Sequence, residues 1–496
     1  MRGKRGVGLR QAGSSRAAAA IGLATVMLLA AGCAVGPNYK RPPFITAAAY
    51  KEQDGWKPSE PADTLGRGQW WQIFHDAVLD DLESRVAISN ENIQSAAAAV
   101  LEARALVHQA QASFWPSLSV NTSMTRSASG SSGFVIPGGT GGAGFASSLS
   151  SNRTLYSAGS SLDWGLDIWG EVRRNVESAR ASAQSSAAAL AAAQLSAQAQ
   201  VATDYFELRA QDQLQLLLND IVAADEQALK ITQARYNVGV AYKADIVTAQ
   251  TQLLSAQAQQ INSGIQRATL EHAIAVLVGA QPADLSLKPV GLATTVPTVP
   301  PGVPSTLLER RPDIAEAERN MAAANAKIGV AIAAFFPSLT LTGSLSYQGS
   351  IFDKLIRASN RVWSFGPSLA ETIFNGGARW AQVAESRAAY QATVHDYRQT
   401  VLSGLQQVED ELVSLRVLEK QAVIEEQLVK ASREAETLTL NQYKAGTVPY
   451  SSVISAQTTR VSSEETALTV QLDRFTASVA LVDALGGGWN ASQLGR

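Results

Sequence analysis

The chain has 496 residues, enough for a large core or for one very elongated body. Charged residues are 17% of it, low for a soluble protein, and aromatics are 6%. A formal net charge of −2 lacks the basic surface that a general nucleic-acid binder needs, so nucleic acid is excluded as a partner.

Residues 1–32 carry Arg2, Lys4, Arg5, Arg10 and Arg16 and no acid. An apolar run over 17–31 follows, then a zone of small residues, the order of an export signal peptide. The run is short for a membrane-spanning helix, which needs about 20 apolar residues, and this weighs against an uncleaved anchor. Removing those five from 41 basic residues leaves 36 against 43 acidic, near −7. Net charge of that sign does not draw a body to anionic lipid.

The only cysteine, Cys33, ends Leu29-Ala30-Ala31-Gly32-Cys33. The stretch resembles a bacterial lipobox, with the leucine one place further out than usual. The resemblance implies a covalent lipid on Cys33, which becomes the mature N-terminus. The other reading is a free thiol, but a lone exported cysteine has no intramolecular partner and is a liability unless capped. Ala34, rather than Asp, follows it, which in such lipoproteins implies sorting to the outer membrane. One lipid gives limited membrane affinity, so a second attachment is expected. Residues 33–75 form the lipidated extension.

Two repeats follow, 76–295 and 305–486. The segment 112–118 (Ala-Ser-Phe-Trp-Pro-Ser-Leu) echoes 333–339, and Tyr236-Asn237-Val238-Gly239 echoes Tyr443-Lys444-Ala445-Gly446. Ile246-Val247-Thr248-Ala249-Gln250 likewise echoes Val453-Ile454-Ser455-Ala456-Gln457. Each repeat reads as helix, strand, loop, strand, long helix, tight turn, helix. Helical spacing runs from Asp76 to about Ser113, through Leu79, Leu82, Val86, Ile93 and Val100, until Pro116 stops it. Leu118, Val120, Thr122 and Met124 then alternate with Ser117, Ser119, Asn121 and Ser123, a period-two strand opening a β-hairpin over 116–168. The Gly/Ser-rich loop 127–150 is expected to be exposed. The second β-hairpin occupies 337–374.

From Gly170 to beyond Tyr236 there is no proline or glycine. Roughly 66 residues of helix would run about 100 Å, far beyond the usual 11–12 residues. A second such helix spans about 378–444, interrupted only by Gly404. Ala and Ser dominate the first, so coiled-coil-like packing is expected. The Pro-rich linker 296–304 joins the repeats, and 487–496 is a tail. Four strands per chain cannot close a barrel across lipid, where open edges are not tolerated and the smallest bacterial barrels have about eight strands. Several chains must therefore pool strands. Trp115, Tyr156, Trp164, Trp169, Phe336 and Trp363 near strand ends suit a membrane-interface girdle.

Catalytic signatures are lacking. His75, His108, His272 and His395 show no ligand spacing, and there is no HExxH, GxSxG, P-loop or paired-cysteine site. Glu409-Asp410-Glu411 reads as a solvated helix face. No enzyme, metal or cofactor is expected, and energy for transport must come from a partner.

Further stretches carry a resemblance across the mature chain. They are Cys33-Ala34-Val35-Gly36-Pro37-Asn38-Tyr39, Trp71-x-x-Phe74-x-Asp76, Arg311-Pro312-Asp313-Ile314, Ala323-Ala324-Asn325-Ala326-Lys327-Ile328-Gly329, the Pro-Ser-Leu strand starts, and Leu485-Gly486-Gly487-Gly488-Trp489. Their order resembles the outer membrane factor (TolC-like) family, especially its lipidated OprM/NodT-like branch. The resemblance implies a mainly α fold with a membrane β-barrel: a homotrimer whose chains each give four strands to a shared twelve-stranded barrel and long helical hairpins to a periplasmic tunnel. It implies an exit duct for small toxic compounds or drugs, with a periplasmic membrane-fusion adaptor and an inner-membrane pump of RND type as partners, set in outer-membrane lipid. A type I protein secretion duct and a pore-less coiled-coil lipoprotein are the alternatives.

The hairpin tips, 236–245 and 443–452, hold the candidate site. Gly239 and Gly446 are expected to end one helix, and Asp245 and Ser451 or Ser452 to cap the next. By resemblance, Tyr236, Gly239, Asp245, Tyr443 and Gly446 form the adaptor-docking tip. Asp245, Tyr443, Ser452 and Ser455 line the constriction, with Tyr443 as a steric plug. Serines at 452 and 455 depart from the acidic ring that family members often carry.

Overall fold

The computed structural model describes residues 34–43, 47, 49–52, 69–128, 152–297, 299 and 307–494. The signal segment, Cys33 with its acylation, most of the first hairpin loop and most of the 296–304 linker lie outside the described residues. In chain order the main elements are α1 (Ala77–Ser89), α2 (Glu91–Ala112), β1 (Ser117–Ala128), β2 (Asn152–Leu166), α3 (Glu171–Asn237) and α4 (Lys243–Leu277). After them come α5 (Pro312–Ala333), β3 (Ser338–Gly349), β4 (Arg361–Ala370), α6 (Ala378–Ala445) and α7 (Tyr450–Ala484). α3 and α6 have 67 and 68 residues; α3 holds no proline or glycine, and α6 holds only Gly404, which a helix tolerates. Among the described residues, no helix is long and apolar enough to cross a membrane.

The expected helix over 76–113 is two helices. Asn90 leaves helical geometry at φ −70°, ψ 120°, and its Oδ1 accepts from the backbone N–H groups of Asn92 and Ile93 at 2.9 and 3.2 Å. Its Nδ2 donates to the Leu277 carbonyl at 2.8 Å. A short polar side chain that satisfies orphan donors starts a new helix instead of continuing the old one.

The chain divides into two compact units. The first, residues up to 40 with 104–181 and 322–391, holds one four-stranded antiparallel sheet of order β1-β2-β3-β4. Leu118 pairs with Leu162, Ser160 with Leu345, and Leu345 with Trp363. All four helix connections leave one end of the sheet, and both strand-to-strand connections lie at the other. At the helix end, Trp164 Nε1 donates to the Phe114 carbonyl at 2.9 Å and Trp169 Nε1 to the Pro337 carbonyl at 2.8 Å. Trp169 also stacks on Phe336 at 4.8 Å. The start of the described chain is strapped here. Val35 N donates to the Trp169 carbonyl at 3.0 Å, and Arg174 donates to the Val35 carbonyl at 3.1 Å and Asn38 Oδ1 at 2.7 Å. A Cβ on Gly36 would lie 2.5 Å from the Gly329 Cα, which explains both glycines in the shared motifs.

The second unit, 41–103, 182–321 and 392–496, is helical around a core that includes Trp70, Leu79, Leu82, Tyr205, Phe206, Leu412 and Phe475. Phe206 stacks on Phe475 at 4.6 Å and tilts against Phe74 at 4.8 Å. Arg311 is a buried junction. It donates to Asp313 at 2.7 Å, Gln407 Oε1 at 2.8 Å and the Ala484 carbonyl at 2.9 Å. Gly404 in α6 leaves room for it, since a Cβ there would meet the Arg311 side chain at 3.3 Å.

Candidate functional site

The sheet has two chemically opposite faces because side chains alternate along a strand. Leu118, Val120 and Met124 on β1 share one face with Leu162 and Trp164 on β2, Leu339, Leu341 and Leu345 on β3, and Trp363, Phe365 and Leu369 on β4. This apolar face is open: Leu118, Val120, Trp363 and Leu369 are all about 70% exposed. The opposite face is lined by hydroxyls. Ser119 bonds Ser161 at 2.7 Å, Ser123 bonds Ser157 at 2.8 Å, and Ser344 bonds Ser364 at 2.8 Å. Asp163 is the only acid in the four strands. β1 and β4 each have a neighbour on one side only, so both edges present unpaired N–H and C=O groups. A sheet with an apolar face open along both edge strands and a hydroxyl-lined face opposite suits lipid on one side and water on the other.

At the first hairpin tip, α3 ends with Gly239 at φ +79°. Its N–H donates to the Tyr236 carbonyl at 2.9 Å, and Val240 N donates to the Arg235 carbonyl at 3.0 Å. The second tip repeats this bonding. Gly446, at φ +82°, donates to Tyr443 at 2.9 Å and Thr447 N to Gln442 at 3.0 Å. Paired 5→2 and 6→1 bonds of this kind satisfy the last orphan carbonyls of a helix, and the left-handed residue they need favours glycine. Both glycines thus occupy the helix-ending position expected of them.

The caps of the following helices differ from expectation. Asp245 sits in the first turn of α4, not before it, and its Oδ2 accepts from Tyr242 N at 3.0 Å. Tyr242 occupies the N-cap position, so Asp245 caps the helix start from within its first turn. The residue before α7 is Pro449, with no side-chain cap, and Ser451 and Ser452 lie inside the helix. Ser452 N donates to the Pro449 carbonyl at 3.1 Å, a tight-turn bond that satisfies one first-turn donor without a hydroxyl cap. Ser455 Oγ turns back to the Ser451 carbonyl at 3.1 Å.

Tyr443 is placed differently from a free plug. It is 4% exposed, tilted against Tyr450 at 5.3 Å in a small core with Ala249 and Val453. Arg235 of the first tip lies 4.6 Å over its ring and donates to the Lys444 carbonyl at 2.9 Å, pinning the two tips together. Burial, then the nearby Asp225, pushes the Tyr450 hydroxyl up to about 12. The exposed apolar surface at this end belongs to the first tip, where Val238 is 73% and Tyr242 81% exposed, with Val240 and Tyr236 beside them. Sequence reasoning places Val238, Val240 and Tyr242 inside the tip but assigns the docking role to Tyr236, Gly239 and Asp245, although three apolar residues alternating through a tight turn are a readable signal.

Elsewhere, the acidic cluster in α6 is not simply a solvated face. Glu409 accepts from the backbone N–H groups of Lys51 and Glu52 at 2.7 and 2.9 Å, fastening the N-terminal extension. Among the described residues, no group of three or more His, Cys, Asp or Glu side chains could hold a metal.

The family model described as outer membrane efflux protein matches residues 82–280 and 303–487. The chain is 31% identical over 477 residues to the probable efflux pump outer membrane protein TtgC of Pseudomonas putida, covering 95% of each chain. It is 30% identical over 490 residues to the pyoverdine export outer membrane protein OpmQ of Pseudomonas aeruginosa, covering 96% of this chain and 98% of that one. Among solved structures it resembles the outer-membrane channel OprN with a TM-score of 0.83 and 27% identity, over 92% of this chain and 100% of that one. On the family match, the relatives and the fold together, the chain belongs to the outer membrane efflux protein family.

Proposed function

We propose that this chain is the outer-membrane exit duct of a tripartite efflux system, working as a homotrimer that conducts small toxic compounds passively to the cell exterior. The family is one of channel proteins rather than enzymes. The observation that carries the reading is the sheet: four strands, two unpaired edges, one open apolar face and one hydroxyl-lined face. Edges are not tolerated in lipid, so other copies must cover them, and three copies give twelve strands, within the range of closed bacterial barrels. The two-repeat reading is supported by the matching turn bonds at Gly239 and Gly446.

The hairpin tips then face the periplasm and dock an adaptor through the exposed Val238, Val240 and Tyr242 around Gly239 and Gly446. An inner-membrane pump of RND type loads the cargo. Asp245, Ser452 and Ser455 line the constriction, and Tyr443 holds it shut from beneath by tying the two tips together. A lipid on Cys33 adds a second membrane attachment, and no cofactor is used. The test is the mass of the mature protein in detergent together with its single-channel conductance. A trimer with small, rarely opening currents is expected, and a monomer that never conducts overturns the reading.

A further inference from the structure

The charges of the sheet are not spread evenly. Its basic residues, Arg126, Arg153 and Arg361, all lie at the loop end. The β3–β4 connection adds Lys354 and Arg357 and one acid, Asp353. Residues 129–151, the other connection, contain no charged residue at all, so they cannot supply counter-charges.

The two ends of this unit treat cations differently. At the helix end, Arg173 pairs with Asp167 at 3.1 Å, Arg174 with Glu177 at 2.7 Å and Arg379 with Glu371 at 2.8 Å. At the loop end, Arg126, Arg153, Arg357 and Arg361 are exposed, and among the described residues none has an ion pair. A near −7 mature chain therefore carries a rim of five cations against one acid, which its net charge conceals. Two of these cations, Arg126 and Arg361, stand on the apolar face. Arg361 lies opposite Tyr347, and Arg126 is two residues beyond Met124, which lies opposite Tyr156. Tyr156 packs edge-on against Phe352 at 5.5 Å, and Phe352 and Ile356 are 67% and 78% exposed. Tyrosines, exposed apolar side chains and unpaired arginines gathered at one end of a sheet are the composition of a lipid headgroup boundary.

We propose that the loop end of the sheet binds the phosphate groups of the anionic glycolipid of the outer leaflet, with Arg126 and Arg361 as the lipid-facing contacts. A guanidinium grips a phosphate through two parallel hydrogen bonds, and the tyrosines seat beside it at the boundary. The loop end faces outward because every helix leaves from the other end. This inference rests on the barrel reading. β1 and β4 are the two edges, so pooling strands brings Arg126 of one copy and Arg361 of the next to the loop end of the same seam. A shared phosphate there relieves the repulsion between them.

The test uses the full mature protein, delipidated in detergent and titrated with bis-phosphorylated lipid A, its dephosphorylated form and inorganic phosphate, read by native mass spectrometry. The mass before lipid is added reports assembly by itself, so failure of the barrel reading is seen separately. Each cation near an anionic lipid surface contributes about fivefold in affinity, so the Arg126→Gln/Arg361→Gln double variant is expected to bind lipid A about 25-fold more weakly. The Arg126→Lys/Arg361→Lys variant keeps the charge but loses the paired hydrogen bonds, so its affinity falls between those of the wild type and the Gln variant, and the trimer mass stays unchanged. Equal binding by the Gln variant, or equal binding of dephosphorylated lipid A by the wild type, overturns the proposal. So does inorganic phosphate that binds as tightly as lipid A, since the site would then be one for free phosphate.

Discussion

Glu83 sets a pH dependence that can be measured. It lies in α1 among Leu79, Leu82 and Val86, is fully buried, and neither carboxylate oxygen has a hydrogen-bond partner among the described residues. Burial, then the neighbouring Asp80 carboxylate, pushes its pKa from 4.5 up to about 9. The folded chain therefore holds a proton that the unfolded chain releases, and this works against folding as pH rises from 4.5 to about 9. Below pH 4.5 both states are protonated and the effect is absent. Each pH unit within the window costs about 1.4 kcal/mol, so at pH 7 the folded state gives up about 3 kcal/mol, and near pH 9 about 6 kcal/mol. Glu83→Leu, close in volume and without polar atoms, should recover most of this. Glu83→Gln should track the wild type at pH 5 and exceed it above pH 7. The assay is the thermal midpoint of helical circular dichroism in detergent at pH 5, 7 and 9. A difference between variant and wild type that stays constant across those values refutes the reasoning.

Other outcomes follow from the same geometry. At Gly239 a Cβ would meet nothing within 4 Å, and at Gly446 only Arg235 Nη2 at 3.7 Å, so alanine there costs only the left-handed backbone penalty of about 1–2 kcal/mol. That cost should stay in the tip: adaptor crosslinking falls while the global midpoint holds. Gly486→Ala is different, because its Cβ would lie 2.1 Å from the Arg310 carbonyl oxygen at φ +89°, and the midpoint should drop by an amount worth at least about 2 kcal/mol. Tyr443→Ala removes a buried ring worth about 3 kcal/mol and should raise mean single-channel current. Tyr443→Phe loses only a long 3.4 Å contact with Thr232 and should conduct as the wild type does.

Local rules made much of this readable. The lack of proline and glycine after Gly170 located α3, and period-two alternation located β1 together with the face of each of its side chains. The glycines at the tips were readable because a left-handed helix end favours that residue. What was lost needed partners distant in sequence. Asn90 was read through as helix although its side chain matches a start signal, and its Nδ2 partner, Leu277, is remote. Tyr443 resembled an exposed plug until Tyr450 and Arg235 were seen to enclose it. The basic rim was invisible because Arg126, Arg153 and Arg361 are scattered in sequence and converge only through strand register.

The central claim is that other copies cover the edges of the sheet, and cysteine crosslinking tests it most directly. Ser119 on β1 and Ser364 or Ser368 on β4 both stand on the hydroxyl face, one at each edge. In the mature protein, pairing Ser119→Cys with a cysteine at Ser364 or Ser368 and then oxidising should give a ladder that stops at three chains, with single-cysteine controls staying monomeric under denaturing conditions. A chain that never crosslinks through these edges, or a ladder that continues past three, contradicts the closed trimeric barrel.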